Sequence, residues 1–209
     1  MPVTSADPPR KRFTRAERGR QILDAAVAVF AERGFHAASM DAVAMRVGVT
    51  KPVLYDHFGS KEGLLLGCVA RAREELLDVT SRAAATATSP EQMLRLGFRA
   101  FFDYLDSHAP EWGLLYQEAA LPTGDGADSL ESIRAQQTDF IAALLAAQAP
   151  AAGTVRAQAW AQVMVGACER LALWRRGAAG VEVSAEQATE YLMDLMWTGL
   201  ARLSAGGQR

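Results

Sequence analysis

Residues 39–58, Ser-Met-Asp-Ala-Val-Ala-Met-Arg-Val-Gly-Val-Thr-Lys-Pro-Val-Leu-Tyr-Asp-His-Phe, restrict the possible folds more than any other stretch of this 209-residue chain. They read as two short helices joined by a tight turn. Ser39 can cap the first helix, with Asp41 in its first turn facing the positive end of the helix dipole. Val43, Ala44 and Val47 then share one face at helical spacing. Gly48 follows where a helix stops and the backbone turns through positive φ. Thr50 can cap the second helix, and Pro52 sits in its first turn, where a missing N–H costs little. Leu54 and Phe58 point back to a core, leaving Lys51, Val53, Tyr55 and His57 on the outer side. Such a set suits phosphates and base edges in a DNA major groove. An ordinary helical hairpin has the same pattern, so the flanking residues must decide.

Upstream, Ile22, Ala26, Val29 and Phe30 form the buried stripe of a helix that ends at Gly34. Downstream, Gly59-Ser60-Lys61-Glu62-Gly63-Leu64-Leu65 starts another helix, with Ser60 as its cap. The elements "ILDAA…FAERGF", "SMDAVA.RVGV" and "LYDHFGSKEGLL" stand in order at uninterrupted spacing. From Arg15 to about Leu66 the chain closely resembles the DNA-binding domain of TetR-family transcriptional regulators. The resemblance implies that Lys51, Pro52, Val53, Tyr55, His57 and Lys61 meet double-stranded DNA, with Ser39 and Thr50 beside them. Lys51 is placed for a guanine and Val53 for a thymine methyl, while Tyr55, His57 and Lys61 are placed for phosphates.

The net charge of −2 looks wrong for a DNA binder until it is divided. Residues 1–66 carry ten Lys/Arg against seven Asp/Glu; the remainder carries twelve against seventeen. The basic excess therefore lies with the helix-turn-helix, as phosphate neutralisation requires. It is densest at Arg10-Lys11-Arg12, within a polar stretch expected to be a disordered basic arm over residues 1–14. That arm can lie against DNA or remain a solvated tail.

The rest of the chain, residues 67–209, reads as helices with short polar breaks. They are expected at about 61–82, from Ser89 onward, 128–148, 154–176 and 185–204, with a short one holding Trp112 and Tyr116. No segment alternates like a strand, so the expected class is all-α: a three-helix DNA-binding domain at 15–66, then a helical effector-binding and dimerisation domain. No run is apolar enough for a membrane span and no signal-peptide core opens the chain, so no membrane partner is expected and the cytoplasm is the default location.

The last two predicted helices are apolar on more than one side. Trp160, Met164, Ala167, Leu171 and Trp174 make one seam. Leu192, Leu195, Met196, Gly199 and Leu203 make a second, with Met193, Trp197 and Leu200 on another face. Either these helices form an intrachain pair, or they pair between copies. The family resemblance implies the latter, a homodimer on a palindromic operator.

The resemblance also implies a small effector among the middle helices, with Phe98, Phe101, Phe102, Trp112, Tyr116, Trp160, Met164 and Cys168 as candidate walls. Aromatic and methionine walls suit an apolar or aromatic ligand, although the same residues would fill a helical core. Cys68 and Cys168 form no metal-type cluster and read as reduced, buried thiols. No His-Glu-x-x-His, Cys-x-x-Cys, phosphate loop or nucleophile elbow occurs, so neither an enzyme nor a cofactor is expected. The reading is a ligand-responsive regulator, expected to be a repressor. The alternative is a DNA-binding protein without an effector, either a constitutive repressor or architectural.

Overall fold

The computed structural model describes residues 13–110, 113, 125–177 and 182–205. They form eight α-helices: α1 (Arg15–Ala37), α2 (Met40–Val47), α3 (Lys51–Phe58), α4 (Lys61–Ala85), α5 (Pro90–Ser107), α6 (Asp125–Gln148), α7 (Thr154–Gly177) and α8 (Ala185–Ala205). A short 3₁₀ turn, Pro150–Ala152, precedes α7. The fold is all-α, and no strand occurs among the described residues.

Helix starts follow the capping chemistry. Thr14 and Glu17 make a reciprocal box at α1, which the sequence reading missed: Glu17 N–H donates to Thr14 Oγ1 at 3.2 Å, and Thr14 N–H donates to Glu17 Oε2 at 2.8 Å. Ser39, Ser60 and Ser89 each accept from the N–H three residues on, at 3.1, 2.9 and 3.2 Å. Ser184 and Gln187 make a second reciprocal box at α8. At α5 the pairing is shifted by one residue: Ser89 accepts from Gln92 N–H, while Gln92 accepts from Thr88. Thr50 departs from expectation too. It occupies the N-cap position of α3 with extended backbone, but its side chain makes no cap bond.

Helices α1 to α3 pack around Ile22, Ala26, Phe30, Val43 and Leu54, all buried. Gly48 closes α2 in the left-handed region, φ 75°, and its N–H donates to Ala44 O at 3.0 Å. The junction between α3 and α4 is tighter still. A Cβ on Gly63 would lie 2.1 Å from the carbonyl oxygen of Phe58, so only glycine lets α4 start there.

Helix α4 belongs to both halves of the molecule, and the expected domain boundary at residue 66 falls inside it. Its first turns bury Leu64, Leu65, Cys68 and Val69 against the N-terminal helices. Arg71 locks it to α1, donating to Asp24 Oδ1 at 2.6 Å. Beyond Ala72 it packs on α5 and α6 instead. The second half is a layered bundle in which α5 lies between α4 and α8, and α6 pairs with α7. Arg175 fastens its far end, with a two-pronged bond to Asp106 at 2.9 and 3.0 Å and the guanidinium 5.2 Å from the Phe102 ring.

Candidate nucleic-acid interface and effector cavity

On α3 the spacing of Leu54 and Phe58 turns one face inward, so Lys51, Pro52, Tyr55 and Asp56 stand exposed on the other. Tyr55 is 44% exposed. Lys51 Nζ donates to Asp41 Oδ2 at 2.9 Å. That hydrogen bond, with the carboxylate's charge, raises the lysine pKa above its ordinary value. At the other end of α3, Arg15 grips both the carboxylate and the backbone carbonyl of Asp56, each at 2.8 Å. Ser39 and Thr50 lie exposed at the two helix starts beside this face.

Three of the expected DNA contacts are placed differently. Val53 is half-buried and packs on the core, because it adjoins Leu54 on the inner side of the helix. His57, three residues after Leu54, turns toward α1, its ring lying beside Gly19 and stacking on Phe58 at 5.9 Å. Lys61, expected at a phosphate, is engaged within the protein in the absence of DNA. Its ammonium donates to the carbonyls of Phe35, His36 and Ala38 at 2.9, 3.3 and 3.1 Å, and lies 4.4 Å from the Phe35 ring centroid. It neutralises the negative C-terminal end of α1 with all three of its donors. Arg10, Lys11 and Arg12 lie outside the described residues.

The second site is a cleft of about 840 Å³, its mouth included, between α4, α5, α6 and α7. Leu76, Leu77, Thr80 and Ala84 come from α4; Met93, Phe98 and Phe101 from α5; Phe140, Ile141 and Leu144 from α6; Met164 and Cys168 from α7. Its walls are almost wholly apolar, with Thr80, Ser81, Gln137 and Glu169 as the polar side chains. The lining matches a site for a small apolar molecule. Burial pushes the Cys168 thiol far up from its ordinary pKa, so it is an inert part of the wall.

Phe98, Phe101, Met164 and Cys168, chosen from the sequence, come together in this cleft, whereas Phe102 and Trp160 are not on its wall. Phe102, expected as a wall, is a core residue instead. It is 0% exposed, sandwiched between an edge-on Phe101 ring at 5.1 Å and Arg175. Trp160 packs on the core as a half-buried side chain. Trp112 and Tyr116 lie outside the described residues. The α4 and α6 walls escaped the sequence reading, although Leu76, Thr80 and Ala84 recur at a spacing of four residues, as do Phe140 and Leu144.

The third surface is on α7 and α8. Val163 and Trp174, 65% and 47% exposed, stand outward on α7, with Gly166 between them facing open space. Tyr191 and Leu195, 48% and 75% exposed, stand outward on α8. Leu192 and Met193 are buried within the protomer, and Met196 and Trp197 pack partly on its core. Leu192 is therefore a core residue of the protomer rather than part of an outer face. The side chains of Gly199, Leu200 and Leu203 lie outside the described residues.

Comparison with known proteins is consistent over both halves. A family model described as "Bacterial regulatory proteins, tetR family" matches residues 22–68, and one described as "Tetracyclin repressor-like, C-terminal domain" matches residues 90–199. The HTH-type transcriptional activator FasR of Mycolicibacterium smegmatis is 42% identical over 106 residues, 51% of this chain and 48% of FasR. The chain thus spans about half the length of this curated relative. A TetR-like transcriptional regulator from Rhodococcus sp. RHA1 is similar in structure, with a TM-score of 0.67, 32% identity, and coverage of 91% of this chain and 99% of that one. FadR from Bacillus subtilis, solved in complex with stearoyl-CoA, shares the fold at a TM-score of 0.72 with 17% identity, covering 84% of this chain and 96% of its own.

Proposed function

The chain belongs to the tetR family of bacterial regulatory proteins, and on that premise we propose that it is a repressor released from a palindromic operator by a small apolar effector. It is a transcriptional regulator and not an enzyme. One observation carries the finer reading: α4 starts directly behind the DNA-reading helix and, about four turns on, forms a wall of the apolar cleft. A ligand that fits the cleft in only one setting of α4 shifts the population toward that setting. Couplings of this kind run to about 1–3 kcal/mol.

Two copies pair through the outward faces of α7 and α8 and present their α3 helices to successive major grooves, about 34–36 Å apart. Lys51 and Tyr55 read and anchor the site, with Pro52, Ser39 and Thr50 alongside. The basic arm, Arg10 to Arg12, adds phosphate contacts, and the protein works in the cytoplasm.

Selection of bound fragments from genomic DNA should return one near-palindromic sequence, and a fitting apolar compound should release it. Equal affinity for random DNA would sink the operator reading, and a complex unmoved by any cleft-binding compound would favour a constitutive repressor. An activator is the second reading, favoured by the likeness to FasR. Loss of the gene raises transcription of the neighbouring promoter under the first reading and lowers it under the second.

A further inference from the structure

We propose that the effector is an uncharged amphiphile, an aliphatic or ring hydrocarbon ending in a hydroxyl-type group, whose polar end meets Gln137 and Glu169. The inference rests on reading the cleft as the effector site. Glu169 is the charged side chain among the described residues of its lining, and no cation lines it. The balancing charge stands behind the wall. Arg73 on α4 is 4% exposed; its guanidinium donates to Gln137 Oε1 at 3.0 Å and to Glu169 Oε1 at 3.4 Å. The polar end of the cleft is thus an ion pair with its anion in front.

That arrangement discriminates between head groups. A carboxylate or phosphate would be brought against Glu169 in surroundings of low dielectric, with Arg73 already engaged. An ammonium gains little from a carboxylate whose charge is already compensated, and must shed its water. A hydroxyl matches both groups. The Glu169 carboxylate only accepts, and the Gln137 amide, its oxygen turned to Arg73, offers N–H donors. Gln137, Glu169 and Arg73 also join α6, α7 and α4 at one point. A hydroxyl bound to the first two adds a contact at this junction and so bears on the setting of α4, the helix that reaches the DNA-reading head.

The test is calorimetric titration of the full chain with dodecanol, dodecanoate and dodecylamine below their micellar concentrations. Dodecanol should bind at least about tenfold more tightly than either charged probe. Glu169→Gln should bring dodecanoate to within about threefold of the alcohol. Gln137→Leu should weaken dodecanol without helping dodecanoate, and it serves alone if Glu169→Gln does not fold. Dodecanoate or dodecylamine binding as well as the alcohol overturns the head-group assignment and leaves the cleft as the effector site. Failure of all three to bind overturns the cleft reading itself, and this inference with it.

Discussion

Lys51 at the start of α3 and Asp41 in the first turn of α2 face each other across the helix-turn-helix, Nζ to Oδ2 at 2.9 Å. The pair is solvent-exposed, so it adds little to stability. Its consequence is positional: the lysine stays protonated and is held at the head of the DNA-reading helix. Under the proposed function it has only to exchange one acceptor for another when DNA binds. Lys51→Ala should cost about 1–3 kcal/mol on the preferred operator and relax specificity there. Fluorescence anisotropy on specific and random duplexes measures both. Equal losses on the two would remove Lys51 from base reading.

Lys61 should behave differently. Its donors are committed to three carbonyls at the end of α1, so Lys61→Met should lower stability by about 1–3 kcal/mol, as expected for hydrogen bonds to a charged group. The salt dependence of DNA binding should hardly change. A salt slope reduced by about one unit would return Lys61 to the phosphate backbone.

Phe101 and Phe102 are neighbours with opposite expectations. Phe102→Ala empties a fully buried position and should cost about 3–5 kcal/mol in denaturant unfolding. Phe101→Ala enlarges the cleft and should chiefly alter the response to a releasing ligand, with operator affinity kept. If Phe102→Ala leaves stability unchanged, the packing around Arg175 is misjudged.

The outward face of α8 separates assembly from folding. Leu195→Glu puts a charge on an exposed position of the protomer, so the helix content should survive while sedimentation shows monomers. Trp197→Glu strikes a side chain packed partly on the core and should lower the melting temperature as well. An intact Leu195→Glu dimer at micromolar concentration would place the interface elsewhere.

The α1 capping box carries a pH dependence. Hydrogen bonds from the Thr14 backbone and side chain hold the Glu17 carboxyl below its ordinary value of 4.5. A depressed carboxyl contributes its stabilisation above that ordinary value and loses it as pH falls through the folded value. Amide exchange at Thr14, Glu17 and Arg18 should therefore be protected at neutral pH and accelerate below about pH 4.5 relative to the rest of α1. Glu17→Gln should flatten that acid response. Unchanged exchange across the range would show that the box does not form in solution.

The sequence by itself determined the helices and the turn between α2 and α3, because caps, glycines and 3.6-residue periodicity act through neighbours a few residues apart. Ser39, Gly48 and Ser60 could each be read that way. Periodicity also separates an inner from an outer face, which is why Phe98, Phe101 and Met164 could be chosen before any coordinates. It does not say what an inner face meets. Phe102 and Phe101 adjoin in sequence, yet one is sealed against Arg175 and the other opens on a cleft, and that depends on α7, some seventy residues away. Lys61 has the composition of a phosphate ligand, and only the fold brings the carbonyl end of α1 beneath it. Arg73, Gln137 and Glu169, on three different helices, become one polar node through packing alone. Local propensity acts along the chain; charge balance and cavity shape arise between segments, where only the tertiary structure decides which side chains share a space.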